Sequence, residues 1–185
     1  MGDTAAEIMR DWPEQSRVAT QIVVETYGQP HEATASQLTW HRVGSWKRVV
    51  ATRVSYAHDF PRRHVDVVES FIDYRVPVDK VSAVVAFDGS VVVERTAGEV
   101  SARCHDEQAN FLALNLVHDI VTGAKSVEEA RQYYVQEVLD YRRKRPTPYM
   151  EGFRFGVPLG GTADPDVPLI TEEDLEKAIP EGESA

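Results

Sequence analysis

The stretch from Ser90 to Thr122 constrains this chain most. Ser90-Val91-Val92-Val93-Glu94-Arg95-Thr96 and Glu99-Val100-Ser101-Ala102-Arg103-Cys104 flank Ala97-Gly98, and His105-Asp106-Glu107 opens a largely apolar run. Two β-rich runs either side of a glycine turn make an antiparallel hairpin. The run after them changes period: Ala109, Leu112, Ala113, Leu116, Val117 and Ile120 recur at helical spacing, and Gly123 closes the segment. A hairpin that feeds directly into an amphipathic helix lays that helix across its own sheet, which selects an α+β architecture.

The rest of the chain agrees. Pro13 opens a helix that ends at Gly28, with Val18, Ala19, Ile22 and Val23 on its apolar side. Leu38 to Val43 and Trp46 to Tyr56 read as a hairpin around Gly44-Ser45, a pair suited to a type II′ turn. His64 to Val76 is a third extended segment, and Val78 to Phe87 a helix with Val78, Val81 and Val85 in register. Ser126-x-x-Glu129 is a capping box ahead of a helix that ends in Arg142-Arg143-Lys144-Arg145, cations that complement its macrodipole. Thr171 and Asp174 repeat the capping pattern for a short last helix. The expectation is an α+β fold: a mainly antiparallel sheet of about five strands packed against helices.

Charge divides the chain. Residues 146–185 hold nine acidic and two basic residues and six of the ten prolines, so most of the formal net charge of −10 lies there. The division expected is a single domain over 1–145 and an acidic, Pro/Gly-rich C-terminal arm over 146–185. The near-neutral body lacks the basic footprint of a nucleic-acid binder. No apolar run approaches the roughly 18 residues of a membrane span. One cysteine excludes an internal disulfide, and Met1 to Glu7 has no signal-peptide pattern, so a cytoplasmic protein is expected.

Several residues are candidates for chemistry. Cys104, between a strand end and a helix start, would be activated if its thiol faced helix N–H groups. His105 points to the opposite face if the strand continues through it. With Glu107 and with His118 as general base, Cys104 makes a catalytic set, against the plainer reading of a core cysteine beside a solvated polar wedge of Gln108, Asn115, His118, Asp119 and Thr122. His64-x-Asp66 puts two metal ligands on one strand face, with His58 as a third, although so short a pattern recurs by chance. Trp40 and Trp46 can floor a flat ligand or simply pack in the core. Arg62, Arg63, Arg103 and Asn115 are the remaining polar candidates for ligand contact.

Trp40-x-x-x-Gly44-x-Trp46-Lys47-Arg48, Glu94-Arg95-Thr96-x-Gly98-Glu99-x-Ser101-Ala102-Arg103-Cys104 and Asn110-Phe111-Leu112-Ala113-Leu114-Asn115-Leu116 give the chain a resemblance to a bacterial protein group of uncharacterised function. It covers about residues 15–145, with Ser45 where the group carries proline. The resemblance implies a bacterial, single-domain protein and transfers no activity. The reading that leads is an accessory protein binding a small ligand or a protein partner, as a homo-oligomer, with no identified cofactor. The rivals are a small enzyme using Cys104, His118 and Glu107 or a metal at His58, His64 and Asp66, and an adaptor docking an assembly through 146–185.

Overall fold

A computed structural model describes residues 4–179. Six strands form one antiparallel sheet in the order β1-β2-β3-β4-β6-β5, where β1 is Glu32–Thr34, β2 Gln37–Val43, β3 Trp46–His58, β4 His64–Asp73, β5 Val91–Glu94 and β6 Glu99–Cys104. The helices are α1 Ala5–Ile8, α2 Glu14–Tyr27, α3 Val78–Phe87, α4 Glu107–Thr122, α5 Val127–Arg142, α6 Pro148–Glu151 and α7 Glu172–Lys177. The α+β expectation is met with one strand more than about five. The extra strand is β1, an edge triplet exposed throughout, which has no buried face and therefore no period to detect.

Strand register explains the core. Leu38 pairs with Ala51, Ala51 with Val68 and Val68 with Cys104, while Trp40, Val49, Ser70 and Ala102 form the next row. All are buried, and α2 and α4 cover this face. The turn between β2 and β3 requires glycine: Gly44 has φ +55°, and a Cβ there would stand 2.6 Å from the Tyr27 hydroxyl. Helix α4 is pinned by Asn110, whose Nδ2 donates to the Val68 carbonyl at 3.1 Å and to Ser70 Oγ at 2.9 Å. Two apolar stripes turn out differently from their spacing. Val78 and Val85 face solvent while Val84 and Phe87 are buried, and on α2 Val18 and Ile22 are exposed beside buried Ala19 and Val23.

The opposite face is a ladder of charges. Arg48 forks onto Glu99 at 2.9 and 2.7 Å and lies over the Phe71 ring at 3.7 Å. Lys47 reaches Asp73 at 2.6 Å and Glu99 at 2.7 Å.

The chain after Arg145 lies against the body over its first dozen residues. Met150 is buried, the Phe153 ring meets Trp46 edge-on, and Phe155 stacks on His118 at 4.1 Å. Further on, Thr162 Oγ1 donates to the Gly98 carbonyl at 2.7 Å, and Arg95 pairs with Asp164 and Asp166. From there Val167, Leu169, Ile170 and Leu175 are exposed.

The Arg48 fork, aided by Lys47, holds the Glu99 carboxyl below its ordinary value against the opposing effect of burial. A depressed folded-state pKa contributes stability above the unfolded value, and that stability is lost as pH falls through the folded value. Glu99→Gln is therefore expected to lower stability by about 2 kcal/mol at pH 7. The gap from wild type should close as pH drops below about 4.3. Urea unfolding at pH 7, 5 and 3 reads this directly; a constant gap would show that the pair is not the source.

Candidate metal centre

The far ends of β3 and β4 carry the chemistry. A register shift between Ala51 and Tyr56 re-aims the hairpin, and pairing resumes at Tyr56 with Asp66 and His58 with His64. Period two then puts His64, Asp66 and Val68 on the core-facing side of β4, and Val68 is paired with Cys104 on the neighbouring strand. Strand β6 ends at Cys104, so His105 lies in the turn before α4 and is free to swing back. Asp106 caps α4, its Oδ1 accepting from the Ala109 N–H at 2.8 Å.

Three ligating atoms converge as a result. Cys104 Sγ stands 3.4 Å from His64 Nε2 and 3.3 Å from His105 Nδ1. Each imidazole is held by its other nitrogen. His64 Nδ1 donates to the Arg62 carbonyl at 2.8 Å, and His105 Nε2 meets Asp106 Oδ2 at 2.8 Å. Those partners take the N–H of each ring and leave an unprotonated nitrogen facing the sulfur, as the outer-shell partners of metal-bound histidines do.

Behind His64 lies a second, overlapping triad. Asp66 is fully buried, with Oδ1 at 3.1 Å from His64 Nε2 and Oδ2 at 3.4 Å from His58 Nδ1. Ser90 Oγ donates to Oδ2, but the approach of His64 to Oδ1 is off the line of a hydrogen bond, and Oδ1 has no donor. Asp88 lies 3.5 Å from His58 Nε2. His58, His64 and Asp66, and His64, Cys104 and His105, each bring their ligating atoms within 4.8 Å of one another.

The electrostatics ask for positive charge. Burial, with Asp106 and Asp66 adding repulsion, pushes the Cys104 thiol well above its ordinary value. Burial thus outweighs any activation by the helix N-terminus, an end that the Asp106 carboxylate already occupies. Asp66 beside His64 raises the imidazole's pKa against the opposing effect of burial.

His64, Cys104 and His105 form one side of a cavity of about 200 Å³ between α4, α5 and the loop after β3. Tyr134, Val138 and Met150 line it with largely apolar surface, and Arg62 and Arg142 stand at the exposed edge.

The other candidates are placed elsewhere. Glu107 accepts from the Tyr27 hydroxyl and from Trp46 Nε1. His118 is about 16 Å further along α4 at 1.5 Å per residue, where Tyr74 bonds its Nδ1 at 2.8 Å and burial lowers its pKa. Cys104, Glu107 and His118 therefore do not form a set. Trp40 is fully buried with Nε1 on the Gly28 carbonyl and floors no site, whereas Trp46 packs on Phe111 and lines a separate cavity of about 460 Å³ with Phe153 and Phe155. Arg63 pairs with Asp59 on the surface. Arg103 lies across the charged sheet face, over Tyr56 and near Glu69.

Asn115 is a clamp: Nδ2 donates to the Tyr149 and Gly152 carbonyls at 3.0 and 2.9 Å, and Oδ1 accepts from Arg154 N at 2.7 Å. Asn115 and Asp119 of the α4 wedge are thus buried under the segment after α5, while Gln108 and Thr122 face solvent. Sequence reasoning did not bring in His105, Asp106, Asp88, Ser90 or Tyr134 as one group; Asp88 and Ser90 join only because β5 follows α3 back beside the β3–β4 end. Comparison with family models, with curated proteins and with solved structures found no match to this chain.

Asn115→Leu removes three hydrogen bonds and strands two carbonyls and an amide. It is expected to cost about 2–3 kcal/mol, read as a lower urea midpoint. An unchanged midpoint would return Asn115 to the residues available for ligand contact.

Proposed function

We propose that the protein binds a divalent transition-metal ion, zinc by its donor set, through Cys104, His64 and His105, and presents its open coordination position to the adjoining cavity. The observation that carries this reading is the pair of imidazoles whose outer nitrogens are occupied and whose inner nitrogens lie 3.4 and 3.3 Å from one sulfur. Ligand bonds of about 2.0–2.3 Å around tetrahedral zinc imply edges of about 3.3–3.8 Å. A thiolate and imidazoles suit zinc better than a hard cation. Asp66, with its unmet Oδ1, lies behind His64 as a further oxygen donor or as the carboxylate that compensates the ion. Three protein ligands beside a cavity are the pattern of a site that works on a ligand, where structural zinc is enclosed by four.

A second reading has one observation in its favour. Cys104 Sγ, His105 and Asp106 lie in sequence as nucleophile, base and orienting carboxylate. The raised thiol pKa and the surrounding carboxylates count against it, since reactive cysteines sit in electropositive surroundings.

Protein purified without an affinity tag is expected to hold close to one zinc per chain by elemental analysis, with little left in Cys104→Ser or His64→Ala and most retained in His58→Ala. Zinc at a hundredfold excess over Kd should add about 2.7 kcal/mol. That corresponds to a rise of about 5–10 °C in Tm for a chain of this size. Alkylation of Cys104 by iodoacetamide should be blocked by zinc and released by chelator. Fast alkylation below pH 8 that added zinc does not slow, in protein without stoichiometric metal, would favour the nucleophile.

A further inference from the structure

Resting on the zinc reading, we infer that the cavity in front of the ion takes a small monocarboxylate with a short apolar chain, its carboxylate bound to the ion and to the Tyr134 hydroxyl. Tyr134 is 3% exposed and lines the cavity, and its phenol has no hydrogen-bond partner among the described residues. The hydroxyl keeps a little accessible surface and is open to the cavity. Cys104, Asp88, Asp106 and Asp66 act on it electrostatically. Two of these carboxylates are engaged, Asp106 by His105 and the Ala109 amide and Asp88 by the Ser90 amide, while Asp66 accepts from Ser90 on Oδ2 and its Oδ1 makes no hydrogen bond with the phenol. The oxygen acceptor that the phenol lacks is thus one that a ligand in the cavity would bring.

Charge selects an anion. Zinc with one thiolate and two neutral imidazoles carries one positive charge, which Asp66 behind His64 offsets, so the cations left to meet an anion are those at the cavity edge. In a chain of net charge −10, the two arginines at the cavity edge, Arg62 and Arg142, are exposed and in no ion pair among the described residues. Shape selects a short apolar tail. Ala109, Val138 and Met150 supply no hydrogen-bonding side chain, and beyond the metal ligands, Asp106 and Tyr134 the polar groups are those of Arg62, Tyr141 and Arg142 at the exposed edge, so a ligand polar along its whole length would leave groups unpaired against the apolar wall. The volume of about 200 Å³ lies below the roughly 300 Å³ at which drug-sized pockets begin. A ligand the size of pentanoate satisfies each of these conditions.

The test is calorimetric titration of the full chain, its zinc content measured first, with pentanoate, the neutral isostere pentanamide and inorganic phosphate. Pentanoate should bind at least about tenfold tighter than pentanamide, and Tyr134→Phe and Arg142→Gln should each weaken it about three- to tenfold with zinc content unchanged. Equal affinity for acid and amide, tighter binding of phosphate, or indifference to both substitutions would overturn the inference. The two readings fail separately. If the protein holds no zinc, pentanoate binding that still depends on Tyr134 and Arg142 sinks the metal and keeps the carboxylate pocket, whereas no binding to either form overturns the pocket. Zinc bound at full stoichiometry with no pentanoate response leaves the metal standing and overturns the pocket alone.

Discussion

A carboxylate with no exposed surface must be compensated by what surrounds it, and Asp66 sets that condition for this fold. It is 0% exposed on the central strand β4. An isolated buried carboxylate would neutralise or unfold its surroundings. Three separate elements answer it: His58 from β3, His64 from its own strand and Ser90 from the start of β5. The answer is incomplete, because Oδ1 remains without a donor. The β3–β4 end, the entry to β5 and the turn before α4 are thus drawn to one point by electrostatics as much as by apolar packing. The sum of charges at that point is still short of a cation.

Helix α4 keeps that point separate from the rest of the polar interior. Its first turn carries the Asp106 cap beside Cys104 and His105. Its middle is fastened to β4 by Asn110 and to the segment after α5 by Asn115. Its last turns hold a different cluster, in which Asp119 takes Lys125 at 2.6 Å and the Tyr149 hydroxyl at 3.0 Å. The polar side of α4 thus carries buried anchors at Asn110, Asn115 and Asp119 between the exposed Gln108 and Thr122. Chemistry is confined to one end, where the partners run out.

Much of this was legible from residues alone, and the misses have physical reasons. Period two in His64-x-Asp66 put both on one strand face, and helical period with a closing glycine marked α4 to within a residue. Which apolar stripe faces inward is a tertiary matter. Val78 and Val85 keep perfect helical spacing yet face solvent, because Phe87 and Val84 meet the α4 and α5 side. His105 would face away from the sulfur only if β6 ran through it; the strand stops one residue earlier, and a turn carries the ring back onto the sulfur. The aromatic residues after Pro146 have no period, so their burial against Trp46 and His118 depends on α4 presenting a groove, which no local pattern encodes.

The central claim is that one sulfur and two imidazole nitrogens hold an ion at the end of β6. X-ray absorption at the zinc edge on zinc-loaded protein measures that first shell directly. The account predicts one sulfur scatterer at about 2.3 Å with two or three nitrogen or oxygen neighbours at about 2.0–2.1 Å, the outer-ring signature of two imidazoles, and disappearance of the sulfur shell in Cys104→Ser. A shell of oxygen and nitrogen alone in the unaltered protein would contradict it and move the ion, if any, to His58, His64 and Asp66.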